Sequence, residues 1–137
     1  MVNIKIPSKF ARVVKKGVEF IVDLNIDQID EISLFGSCSR GECRYNSDID
    51  LIVITKGDRL NRSVTGFIRG ELEYVDDTDV TTDVIFYDID VFNRSKERIV
   101  DNIKRDKIVL WREGEYTDEF KELLWDSFKW LSISRNH

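Results

Sequence analysis

Two aspartates one residue apart, Asp48 and Asp50, stand at the mouth of an apolar run, Leu51-Ile52-Val53-Ile54, downstream of a Gly36-Ser37 pair. In an extended chain alternate side chains share a face, so the two carboxylates point together, about 6.6 Å apart. Paired anions beside apolar surface are costly unless a cation joins them. Carboxylate oxygen, phosphate oxygen and water are the usual ligands of Mg²⁺. The Gly-Ser pair suits the same chemistry. A strand-to-helix corner at Gly36, with Ser37 capping a short helix through Cys38 to Cys43, presents free N–H groups and a positive dipole end to phosphate. Gly36 lets the backbone approach the ligand. Ser37 can donate its hydroxyl, and Arg40 can reach the same region as a fixed cation.

Each feature also has a plainer reading. Gly-Ser before a helix is a common turn, and Asn46-Ser47-Asp48 is turn material that would leave its carboxylate in water. A calcium loop is excluded, because Leu51 stands where it needs glycine and no glutamate closes it. A site for two cations, roughly 3.5–4 Å apart, wants a third carboxylate. Asp83, at the head of Asp83-Val84-Ile85-Phe86-Tyr87, can supply it if that strand lies beside Asp50–Thr55. Asp83 shares a face with Ile85 and Tyr87, and a polar strand start is the simpler alternative. Asp88 and Asp90 repeat the Asp-x-Asp spacing at a strand exit, without a Gly-Ser turn, and read as a helix cap.

The elements that must hold these residues follow from periodicity. Pro7 and Ser8 start a helix over residues 8–23, with Phe10, Val13, Val14, Gly17, Val18 and Ile21 on one face. A turn at Asn25–Asp27 leads to a strand, Glu31–Phe35, and Asp50–Thr55 reads as a strand buried on both faces. Asp58 caps a helix with Leu60, Val64, Phe67, Ile68, Leu72 and Val75 on its apolar face, interrupted by Gly66 and Gly70. An acidic loop (Asp76, Asp77, Asp79) precedes a strand, Thr82–Tyr87. Asp90 caps the next helix, with Phe92, Ile99, Val100 and Ile103 inward, and Ile108–Trp111 is a last strand. Thr117 caps a terminal helix over residues 117–131, striped by Phe120, Leu123, Leu124, Phe128 and Leu131, with Trp125 off the stripe as an interface candidate. This order predicts one α/β or α+β domain with a mixed sheet.

Bulk composition narrows the class. The 137 residues suffice for one domain with its own core. A net charge of −5 argues against a nucleic-acid coat, which wants a basic surface. The basic residues Arg94, Lys96, Arg98, Lys104, Arg105 and Lys107 are diluted by Glu97, Asp101 and Asp106, as on a solvated face. One histidine and two cysteines, Cys38 and Cys43, leave no zinc pattern. The charged N-terminus lacks a signal-peptide core and no apolar run would span a bilayer. A cytoplasmic protein without membrane contact, its thiols reduced and unpaired, is the expectation.

Together, Gly36-Ser37, Arg40-Gly41 and Ser47-Asp48-Ile49-Asp50-Leu51, followed by a lone strand aspartate, resemble the minimal nucleotidyltransferases of the DNA polymerase beta superfamily. The likeness covers residues 30–111 of a single domain, 1–137. It implies a polymerase-beta-like fold, a small mixed sheet flanked by helices. It implies that Gly36 and Ser37 meet the triphosphate of ATP or another NTP, with Arg40 and Ser47 beside them. Asp48, Asp50 and Asp83 would hold two Mg²⁺, and Asp83 would orient or deprotonate the attacking hydroxyl. Members of this kind are often paired with a HEPN-type partner, which implies an antitoxin that adenylylates that partner. Two alternatives stay open: a module that binds nucleotide or toxin without catalysis, and an adenylyltransferase for small molecules of the aminoglycoside type. With little chain after Trp111 beyond one helix, the acceptor is expected on another protein, a second copy or a shallow surface. Cys38 and Cys43 depart from the family's usual residues.

Overall fold

A computed structural model of the chain describes residues 6–44, 46–57 and 59–123. The elements run α1 (Ser8–Asp23), β1 (Ile29–Phe35), β2 (Ile49–Thr55), α2 (Arg62–Leu72), β3 (Thr82–Asp88), α3 (Ile89–Arg94), α4 (Arg98–Asp106), β4 (Ile108–Arg112) and β5 (Glu115–Tyr116). Residues 118–123 are helical, and the Thr117 hydroxyl accepts from the Phe120 N–H at 3.3 Å, as a cap should. Leu124, Trp125, Phe128 and Leu131 lie outside the described residues, as does Asp58.

The five strands form one mixed sheet in the order β3-β2-β1-β4-β5, with β2 and β3 parallel and the remaining neighbours antiparallel. Both faces are covered. On one, Phe10, Val14, Val18 and Ile21 of α1 meet Ile68 and Leu72 of α2 over Ile32, Leu34, Leu51 and Val53. On the other, Phe92 of α3 and Val100 and Ile103 of α4 cover Ile52 and Ile54. Interior strand β2 therefore buries both of its faces, which is why its sequence is an unbroken apolar run. Alternation along β2 puts Asp50 on the α3/α4 side with Ile52 and Ile54.

Several expected details differ. Asn61, not Asp58, caps α2, its side chain accepting from the Val64 N–H at 2.9 Å. Phe67 of that helix is half exposed, leaving Ile68 and Leu72 as the buried pair. Asp88, not Asp90, caps α3, because β3 runs one residue further and brings the Asp88 carboxylate within 2.9 Å of the Asp90 N–H. The expected single helix after it breaks at residues 95–97 into α3 and α4. The break resets the helical phase, so Val100 and Ile103 are buried while Ile99 faces outward. The basic stretch is solvated as expected, save Lys107. That ammonium and Arg112 both reach Glu31, a buried carboxylate on β1, at 2.5 and 3.0 Å. Burial alone would push the Glu31 carboxyl up, but the hydrogen bonds from Lys107 and Arg112 outweigh it and hold it below the ordinary range. Among the described residues no helix is long and apolar enough to cross a membrane.

Candidate active site

Strand register decides where the three carboxylates fall. Asp50 pairs with Phe35 on antiparallel β1 and with Asp83 on parallel β3. Ile52, Ile54, Ile85 and Tyr87 all join the core beneath α3 and α4. By alternation Asp48, Asp50 and Asp83 lie on that same face, at the end of the sheet where β2 and β3 begin. Asp48 and Asp83 are exposed and Asp50 is half-buried. Asp50 feels all of this. Burial, then the neighbouring charges of Asp83 and Asp48, push its carboxyl up to about 6, against a smaller opposing pull from Arg40.

Gly36 follows β1 directly with φ of +82°, a left-handed conformation that glycine adopts without cost. A Cβ there would lie 3.2 Å from Cγ of Asp50 and closer still to Oδ2. The glycine thus makes room for the central carboxylate as well as turning the chain. No helix follows it. Residues 37–41 form successive turns, in which the Ser37 carbonyl accepts from the N–H groups of Arg40 (3.1 Å) and Glu42 (2.9 Å). The expected dipole end is therefore missing. Left-handed Gly41, with φ of +77°, turns the chain back. That return brings the Cα atoms of Cys38 and Cys43 within 4.3 Å, and the two are joined in a disulfide. The expectation of unpaired thiols is thereby corrected: the turn, not the spacing of five, sets them face to face. Cys38 is buried, and its Sγ lies 3.8 Å from the Asp48 carbonyl oxygen. The disulfide thus closes the turn on itself, with the Cys38 sulfur packed against the chain entering β2.

The remaining candidates surround this rim. Ser37 is half-buried and, among the described residues, its hydroxyl has no partner, whereas Ser39 donates to the Gly36 carbonyl at 2.7 Å. Arg40 leans the other way, onto Asp106 at the end of α4 (3.2 Å), at the edge of an open groove of about 590 Å³ that also includes Arg105, Lys107 and Arg112. Ser47 precedes the rim and accepts the Arg44 N–H at 2.8 Å, closing the loop that delivers Asp48. Sequence reasoning missed Thr81, whose hydroxyl donates to Oδ1 of Asp48. Nothing in a Thr-Thr pair before a strand signals that contact.

Cation chemistry is what this arrangement suits. Burial, and then the charges of Asp83 and Asp48, disfavour the ionised Asp50 carboxylate, a penalty that a divalent cation would relieve. Among the described residues no three acidic, histidine or cysteine side chains converge on one ion position. The donors fit instead an ion held by one or two carboxylates, with water and substrate oxygens completing its shell, as Mg²⁺ prefers. A separate cavity of about 270 Å³, lined by Thr55, Arg59, Tyr87 and Asp88, lies at the opposite end of β2 and β3.

The sequence matches the model of a nucleotidyltransferase domain over residues 14–110. No curated protein matches it. Among solved structures, a provisionally named nucleotidyltransferase of Sulfolobus solfataricus aligns with a TM-score of 0.55 at 22% identity, covering 85% of this chain and 94% of that one. A toxin-antitoxin assembly with AMP-PNP aligns with a TM-score of 0.55 at 20% identity, over 89% and 87%. A doubly substituted form of the toxin-antitoxin MntA-HpeT aligns with a TM-score of 0.53 at 17% identity, over 89% and 87%. At these identities the likeness is one of fold.

Proposed function

The chain belongs to the nucleotidyltransferase domain family, and from that premise we propose that it moves a nucleoside monophosphate, AMP from ATP, onto a hydroxyl of a partner protein, the new bond forming at the α-phosphorus as pyrophosphate leaves. The observation that carries this reading is the Asp50–Asp83 register pair, with Asp48 on the same face and the Gly36 turn folded against Asp50. Resemblance of the fold to two toxin-antitoxin assemblies, one with AMP-PNP, favours a protein acceptor and an antitoxin role; the sequence resemblance to minimal nucleotidyltransferases adds a HEPN-type toxin as the proposed partner.

Asp48 with Asp50, and Asp50 with Asp83, are the pairs that would hold two Mg²⁺. Bound there, the cations would neutralise charge on the triphosphate and on the attacking and departing oxygens. The chain's own groups supply alignment, which is most of what phosphoryl transfer needs from a protein. The Gly36 turn admits the phosphates close to the backbone, and the free Ser37 hydroxyl donates to a phosphate oxygen. Arg40 exchanges Asp106 for the triphosphate. Asp83, exposed at the outer strand, orients the acceptor hydroxyl and takes its proton.

The test is transfer of α-labelled ATP to the co-purified partner, with mass spectrometry for an added AMP. The double variant Asp48→Asn/Asp50→Asn should lose labelling and keep its fold. Undiminished labelling in that variant would dismiss this site, and partner binding without any labelling by the wild type would leave recognition alone.

A further inference from the structure

The geometry points to Thr81 as a positioning residue for Asp48, a role that rests on the reading of Asp48 as a cation ligand. Thr81 grips the entry to β2 twice. Its carbonyl accepts from the Ile49 N–H at 2.9 Å, and its hydroxyl donates to Oδ1 of Asp48. The first bond fixes the height of β2 against β3, and the second sets the rotation of the Asp48 side chain. With Oδ1 engaged, Oδ2 is the oxygen left to face a cation. An outer-shell hydrogen bond of this kind orients a metal-binding carboxylate and raises affinity without touching the ion.

Thr81 itself is held in place. The loop before it is clamped to α1 by Lys16 and Arg12 on Asp76, at 2.6 and 3.3 Å, and by Lys9 on Asp79 at 2.9 Å. Asp76 is almost wholly buried, so this end of the loop is an anchor. A hydroxyl mounted on an anchored loop pre-orients its partner carboxylate at little entropic cost. The sheet pairing of Asp50 with Asp83 needs no such help. Asp48 precedes the first residue of β2, and Thr81 supplies the constraint the sheet does not.

The experiment measures Mn²⁺ binding to the full chain by electron paramagnetic resonance, in the wild type, Thr81→Val, Thr81→Ser and Asp48→Asn. Valine keeps the branched shape and removes the hydroxyl, whereas serine restores it. Thr81→Val should bind Mn²⁺ about 10-fold more weakly, with Thr81→Ser close to the wild type and metal-free thermal unfolding unchanged. Wild-type affinity in Thr81→Val, or equal weakening in both threonine variants, would overturn the role of Thr81. Loss of affinity in Asp48→Asn but not in Thr81→Val would remove this inference and leave the cation site standing. No loss in Asp48→Asn would remove both.

Discussion

Asp50 and Asp83 are direct neighbours across parallel strands, each the second residue of its strand. Burial of Asp50, and then the charges of Asp83 and Asp48 beside it, raise the affinity of this central carboxylate for protons.

That relationship has a cost to the fold. The Asp50 carboxyl stands at about 6 in the folded chain against 3.8 ordinarily, so its ionised form destabilises the native state at neutral pH. Asp50→Asn should therefore stabilise the metal-free protein at pH 7.5, by about 1 kcal/mol after allowance for solvent at this half-buried site. The gain should shrink as pH falls through about 6, where the folded carboxyl takes up its proton, and vanish below the ordinary value of 3.8, where the carboxyl is protonated in both states. Urea unfolding in EDTA across that range checks it. An equal midpoint at pH 7.5 would mean that no charge is crowded there.

Two glycines separate backbone strain from steric displacement. Gly36 and Gly41 both have positive φ, but a Cβ strikes the Asp50 carboxylate only at Gly36 and meets nothing within 4 Å at Gly41. Either alanine should cost about 1 kcal/mol of stability from the backbone alone. Only Gly36→Ala should also shift the carboxylate, lowering nucleotidyl transfer by about 100-fold. Steady-state kinetics with urea denaturation of both variants distinguishes the two effects, and equal activity in the pair would contradict the packing described at Gly36.

The disulfide can be tested through the unfolded state. Joining Cys38 to Cys43 closes a short loop, worth about 2 kcal/mol on chain-entropy grounds. A dithiol reductant should lower the urea midpoint correspondingly, and Cys43→Ser should show the lower midpoint without responding to reductant. Coincident curves for the oxidised and reduced wild type would show that the bond contributes nothing to stability.

Much of the architecture was legible in local pattern. The amphipathic spacing from Phe10 to Ile21, the apolar run of β2 and the apolar strand after Asp83 each state their structure directly, because burial on one or two faces leaves a period in the sequence. Helix starts were less legible. Asn61 and Asp88 act as caps where Asp58 and Asp90 were expected, since several residues of the right chemistry stood near each boundary and only the path of the chain chose between them. The short helix at Ser37 failed for a related reason: Gly41 and the paired cysteines close that segment as turns. Residue type and spacing by themselves determined that Asp48, Asp50 and Asp83 were acids at strand entrances beside a glycine turn. The tertiary structure alone decided that β2 and β3 run parallel in a register that sets Asp50 against Asp83, and that Thr81 reaches Asp48. Register is a property of two strands far apart in the chain, held by hydrogen bonds and packing that neither segment encodes alone.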